Sequence, residues 1–93
     1  MQFEWDEEKN IANIKKHDGI SFHMAVRVFL DGNRIERYDC KHSIDEDRYN
    51  VIGMVERLLF VVYTERDADT IRIISARKAT KEECNEYYKK NDN

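Results

Sequence analysis

Polar and apolar residues alternate through Gln2-Phe3-Glu4-Trp5, and this alternation predicts a short opening strand. Asp6 then reads as a helix N-cap, with Glu7 and Glu8 in the first turn, where the helix dipole favours acids. Ile11 and Ile14 form one apolar stripe, and Lys15-Lys16-His17 occupy the end that favours cations. Asp18-Gly19 stops that helix as a turn. Ser21 caps a second helix over Phe22 to about Leu30, with Met24, Ala25, Val28 and Phe29 at helical spacing. Asp31-Gly32-Asn33 breaks it.

The pattern then changes to strands. Arg34 to Tyr38 predicts a short one, followed by a polar loop from Asp39 to Asp47. Arg48 to Val55, Leu58 to Arg66 and Thr70 to Arg77 predict three more, joined at Glu56-Arg57 and at Asp67-Ala68-Asp69. Thr80 caps a last helix to roughly Lys90, and Glu83 completes a capping box. The element order is β-α-α-β-β-β-β-α. Four successive strands with tight connections predict an antiparallel four-stranded meander, hence an α+β fold with its helices on one face. The other face is then partly open.

A chain of 93 residues makes one domain, residues 1–93, with a single modest core. The formal net charge of −3 argues against non-specific coating of nucleic acid. The charge is uneven, however, and the hairpin around residues 57–78 is locally basic. Cys40 and Cys84 suggest no disulfide framework, and no His/Cys spacing resembles a zinc site. With no long apolar run, neither a signal peptide nor a membrane span is expected, and a cytoplasmic protein is the default.

The candidate chemistry lies on the hairpin. Arg66, Arg72 and Arg77 stand where a half-buried sheet ordinarily carries apolar or small residues. A guanidinium is permanently charged and forks its donors, which suits phosphate. The plainer alternatives are turn pairs of Arg66 with Asp67 or Asp69, and of Arg77 with Glu82 or Glu83. Strict alternation sends Arg72 and Arg77 to opposite faces, unless the strand ends or bulges between them. For proton transfer the candidates are His17, Glu65 and Tyr63, with His17 equally readable as a helix C-cap. His42 lies beside Ser43 in the polar loop, and adjacent residues rarely present a Ser–His catalytic geometry. Trp5 suits either a base stack or core or rim packing. No metal constellation and no phosphate-binding glycine loop stands out, so a metal or small-molecule enzyme has little support.

Several ordered stretches together resemble the BrnT toxin family. They are Phe3-Glu4-Trp5-Asp6-Glu7-Glu8-Lys9, Asn13-Ile14-Lys15-Lys16-His17 and Gly19-Ile20-Ser21-Phe22. His42-Ser43 with Glu46 and Arg48, Ile52-Gly53, Val61 to Arg66, and Ile71 to Arg77 continue the series, and Glu82, Glu83 and Tyr87 fit the closing helix. The chain departs from the family pattern at Asp18, inserted between His17 and Gly19, and at Gly32, where proline is frequent. The resemblance implies a RelE-like fold and an endoribonuclease toxin of a type II toxin–antitoxin pair, working without a cofactor. It implies a ribbon-helix-helix antitoxin as partner, with DNA reached only through that partner. On this reading Arg66, Arg72, Arg77, His17 and Glu65 are the catalytic candidates, and Lys16, Lys78 and Trp5 are RNA contacts. The competing reading is a non-catalytic, toxin-derived binding module acting in an antitoxin-mediated repressor complex.

Overall fold

A computed structural model describes residues 1–92. Strand β1 is Gln2–Glu4, helix α1 Glu7–Lys16, and helix α2 Phe22–Ala25, which runs on as a 3-10 turn over Val26–Leu30. Strands β2 (Ile35–Tyr38), β3 (Tyr49–Val55), β4 (Arg57–Asp67) and β5 (Thr70–Lys78) follow, and helix α3 spans Lys81–Asn91. A second 3-10 turn, Cys40–His42, lies in the loop between β2 and β3.

Strands β2 to β5 form the expected antiparallel meander, but the sheet has five strands, not four. β1 joins the far edge in parallel with β5, giving the order β1-β5-β4-β3-β2 and a mixed sheet. The helices also divide between the two faces, where one face was expected. The α1 and α2 side carries the larger core, built from Ile20, Phe22, Ala25 and Val28 against Val51, Val61, Tyr63, Ile73 and Ala76. α3 covers part of the opposite face, where Tyr87 and Ala79 meet Ile35, Ile52 and Leu58. Gly53 allows the 3-10 turn to approach β3, because a Cβ there would lie 2.9 Å from the Cβ of Val28.

The second expected helix is only one α-turn long before it tightens to 3-10 geometry. More telling is what α1 buries. Its Ile11 and Ile14 stripe is 49% and 36% exposed, whereas Asn10 and Asn13 are buried. Asn13 donates through Nδ2 to the carbonyls of Ile20 (2.9 Å) and Ala76 (2.8 Å) and accepts the Ala76 N–H at 3.2 Å. β1 pairs only with residues 70–72 of β5, so the backbone at Ala76 has no strand neighbour on that side. The Asn13 amide takes that place, satisfying groups that are costly to bury unpaired. Asn10 does similar work by accepting the Phe22 N–H at 2.7 Å, which fixes the start of α2.

Capping chemistry sets the helix ends as expected. Asp6 accepts from the N–H groups of Glu8 and Lys9, and Ser21 accepts from that of Met24. Thr80 and Glu83 form the reciprocal capping box of α3. The turn at Asp18-Gly19 uses positive φ values of 51° and 77°. Glu56 alone joins β3 to β4, with φ 63°.

Candidate active site

Register decides which side chains meet. Between Val62 and Tyr63 the β4–β5 ladder shifts: Val62 pairs with Ser75, but Tyr63 pairs with Ile73. Ile74 is the extra residue, and this bulge reverses the alternation along β5. Arg72 and Arg77, opposite Thr64 and Phe60, therefore share the face that α3 covers only in part. A second irregularity near the hairpin end leaves Arg66 without a pair, since Glu65 pairs with Ile71 and Asp67 with Thr70.

On that open face lies a hollow of about 330 Å³, lined by Asp39, His42, Arg48, Phe60, Val62, Ile74, Ser75 and Arg77. Its size is at the small end for ligand sites. Phe60, Val62 and Ile74 give it an apolar floor. Arg48 and Arg77 supply positive charge, and the 3-10 turn of the β2–β3 loop supplies a histidine. Asp39 caps that turn by accepting the His42 N–H (3.3 Å), and its second oxygen lies 2.8 Å from His42 Nδ1. A carboxylate at Nδ1 favours the tautomer protonated there and leaves Nε2 as the basic nitrogen. Ser43 holds the loop closed: its hydroxyl donates to the Asp39 carbonyl at 2.6 Å and accepts the Arg48 N–H at 2.9 Å. That serine is a structural clamp and not a nucleophile.

Arg77 is tightly held. It forms a two-pronged pair with Glu83, Nη1 to Oε1 at 2.8 Å and Nη2 to Oε2 at 3.0 Å, and Nη1 also donates to the Lys78 carbonyl. Its guanidinium carbon lies 4.1 Å from the centre of the Phe60 ring, a cation–π arrangement. Burial alone would raise the Glu83 carboxyl, but hydrogen bonds from Arg77 and Thr80 outweigh it and bring the group below its usual value. Arg72 lies next along the same face and donates to Glu4 Oε2 at 2.7 Å, and Arg66 Nε is 3.9 Å from that same oxygen. The pairing of Arg77 with Glu83 was one of the expected alternatives. The partner of Arg66 is Glu4 on β1, not Asp67 or Asp69.

The remaining expected site residues stay apart from this hollow. His17 is the C-cap of α1, the helix that flanks the edge of β5 at Ala76, and it does not line the hollow. Glu65 pairs with Ile71, beside Tyr49 and Tyr63. Tyr63 is buried and donates to Glu36 at 3.0 Å, and burial is the first of the causes that push its phenol far above the ordinary value. Lys16 ends α1, and Lys78 stands opposite the core residue Leu59. Trp5 packs edge-on against Phe22 and His23, and its Nε1–H donates to Glu7, so the indole is engaged in rim packing. Sequence reasoning weighed His42 only beside Ser43 and gave Asp39 and Arg48 no part in the site. The signal available was the spacing of Asp39 and His42, three residues apart, which lets an Asp cap a turn and face the histidine that ends it.

A histidine hydrogen-bonded to a carboxylate, set beside two guanidiniums over an apolar floor, gives the hollow groups chemically suited to holding an anion and moving a proton. The comparisons with known proteins give the chain a family. The family model described as "Ribonuclease toxin, BrnT, of type II toxin-antitoxin system" matches residues 5–83. The chain belongs to this family. Its fold is similar to the 1.1 Å crystal structure of the Brucella abortus ribonuclease toxin BrnT, with a TM-score of 0.65 and 26% identity. That likeness covers 87% of this chain and 99% of the Brucella chain. No curated protein sequence matches the present chain. Among the described residues, no helix is long and apolar enough to cross a membrane.

Proposed function

We propose that this toxin is an endoribonuclease that cuts RNA in the hollow between the β2–β3 loop and β5, using its own side chains for the chemistry. The observation that carries the reading is the convergence of the Asp39–His42 pair with Arg48 and Arg77 on one hollow. Cleavage of this kind needs the 2′-hydroxyl to lose a proton, the charge on phosphorus to be stabilised and the 5′-oxygen to gain a proton. His42 Nε2 takes the first proton while Asp39 holds the ring. The P–O2′ bond forms as the P–O5′ bond breaks, and the 5′-oxygen leaves with a proton drawn from the open side of the hollow. Arg48 and Arg77 stabilise the charge that develops on the phosphate, where fixed positive charge is most effective. Arg72 takes an adjoining phosphate, and Val62 with Ile74 gives an apolar surface for a base.

In this assignment His42 replaces His17 and Glu65 as the proton carrier, because only His42 lines the arginine-bearing hollow. Arg66 becomes a peripheral cation at the hairpin end, and Lys16, Lys78 and Trp5 are not among the residues that line the hollow. The antitoxin partner is of ribbon-helix-helix type, neutralises the toxin by covering the arginine face or an adjoining sheet edge, and carries any contact with DNA. Induction of the chain alone, beside folded His42→Ala and Arg77→Ala variants, tests the proposal through growth and RNA integrity. Arrest with RNA degradation in the parent and neither in the variants supports it. A folded parent that neither arrests growth nor degrades RNA leaves the binding-module reading in its place.

A further inference from the structure

We infer that Glu83 is a positioning residue of the ribonuclease site, acting through Arg77. The inference rests on the reading of Arg77 as a phosphate ligand. A guanidinium carries five N–H donors. In Arg77 the two of Nη1 go to Glu83 and to the Lys78 carbonyl, and one of Nη2 goes to the second Glu83 oxygen. The Nε–H and the other Nη2–H have no acceptor among the described residues, and these two are parallel neighbours that form a complete fork for a phosphate. Glu83 therefore does not simply neutralise the arginine. It occupies the end-on fork and leaves the side-on fork for substrate.

Glu83 is itself fixed. Its Oε1 accepts the Thr80 N–H at 2.8 Å, its own N–H donates to Thr80 Oγ1 at 3.2 Å, and its side chain is only 13% exposed. Phe60 under the guanidinium removes the remaining freedom of tilt. The Glu83 carboxylate, held by the Thr80 backbone N–H and not by its hydroxyl, thus fixes the orientation of a site arginine on β5. A capping box alone requires only that residue N3 reach back to the N-cap. The second, bidentate engagement with Arg77 is what capping does not explain.

The test separates orientation from capping. Glu83→Gln retains an oxygen for the Thr80 N–H but breaks the matched fork, whereas Thr80→Ala removes the cap hydroxyl and leaves the Glu83–Arg77 pair. Each variant is measured for melting temperature and for single-turnover cleavage of an RNA oligonucleotide, with Arg77→Ala alongside. Glu83→Gln is expected to lower kcat/KM about 10- to 100-fold, the scale of a misplaced binding group. Thr80→Ala is expected to melt at a lower temperature and to cleave within about twofold of the parent, since it loses a cap and no site contact. Equal losses of cleavage in Glu83→Gln and Thr80→Ala, each in step with stability, would overturn the inference. Full cleavage by Arg77→Ala would overturn the reading of Arg77 itself, and the role of Glu83 with it. A loss in Arg77→Ala with parental cleavage in Glu83→Gln would overturn the role of Glu83 alone.

Discussion

Replacing Asn13 by alanine should destabilise this toxin far more than replacing either isoleucine of the same helix. The Asn13 amide makes three hydrogen bonds, two with the backbone of Ala76 and one with the carbonyl of Ile20, at a site that is 7% exposed. Its removal leaves the Ala76 N–H and two carbonyls unpaired, at about 1–3 kcal/mol for each group that water fails to reach. Water can enter along the edge of β5, so a total of about 3–4 kcal/mol is expected, within the range of severe single substitutions. Stability of roughly 0.05–0.15 kcal/mol per residue gives a chain of this length about 5–14 kcal/mol in all. The variant should therefore melt some 12–30 °C below the parent, at about 4–8 °C per kcal/mol. Ile11→Ala, at a 49% exposed position, should stay within about 1 kcal/mol. Thermal and urea unfolding followed by circular dichroism measure both. Equal losses in the two variants would refute the reasoning, because they would mean that the isoleucine stripe carries α1 after all.

Other expectations concern charge. Glu4→Gln removes the carboxylate that occupies Arg72 and lies near Arg66. RNA should then bind about 2- to 5-fold more tightly at low salt, with under about 1 kcal/mol of stability lost, as for a partly exposed pair. Weaker binding would show that Glu4 orients Arg72 and does not mask it. Asp31 accepts from Tyr87 Oη (2.6 Å), Met54 N–H (2.8 Å) and Asn33 N–H (2.9 Å), tying α3 and β3 to one loop. Burial would raise its carboxyl, but these bonds and Arg34 bring it below its ordinary value. Its contribution is therefore complete above the ordinary Asp range and lost as pH falls through that range towards the lower folded value. Stability should decline from about pH 5 downwards, and Asp31→Asn should flatten that decline while lowering stability at pH 7. Tyr87 is pushed up to about 12, by burial first and then by its bond to Asp31. Its contribution is complete below the ordinary tyrosine value near 10 and is lost as pH rises through about 12, a loss that Tyr87→Phe should abolish.

Local chemistry made the local structure legible. Asp6, Ser21, Thr80 and Glu83 announce helix starts through side chains that reach their own backbone, and Asp18-Gly19 announces a turn through its left-handed conformation. The meander was legible too, because consecutive strands with tight turns have few alternatives. What escaped depends on contacts between distant residues. The three residues of β1 carry no mark of a parallel partner some 70 positions away. The apolar pattern of α1 misled because its buried face serves a sheet edge with hydrogen bonds, and hydropathy does not register that role. α3 carries few apolar residues, so its side of the sheet follows from where β5 delivers it, beside Leu58 and Ile52.

The candidate site divides in the same way. Three arginines on one hairpin were visible as an anomaly, but whether Arg72 and Arg77 share a face turned on a bulge at Ile74 that no local signal marks. His42 was weighed only against its neighbour Ser43, whereas its side-chain partner in the fold is Asp39, one 3-10 turn earlier. His17 and Glu65 were attractive as isolated titratable groups, and the fold leaves both outside the lining of the hollow.

The most direct measurement of the central claim uses the purified chain and two RNA oligonucleotides, one with a single 2′-deoxy residue at the site where the other is cut. The account predicts cleavage of the all-ribose oligonucleotide to a 2′,3′-cyclic phosphate and a free 5′-hydroxyl, and protection of the 2′-deoxy oligonucleotide at that position. It also predicts that His42→Ala loses about 100-fold or more in rate without loss of fold, the usual scale for a positioned acid–base group. Cleavage of the 2′-deoxy bond at the parental rate, or full activity in His42→Ala, would contradict it.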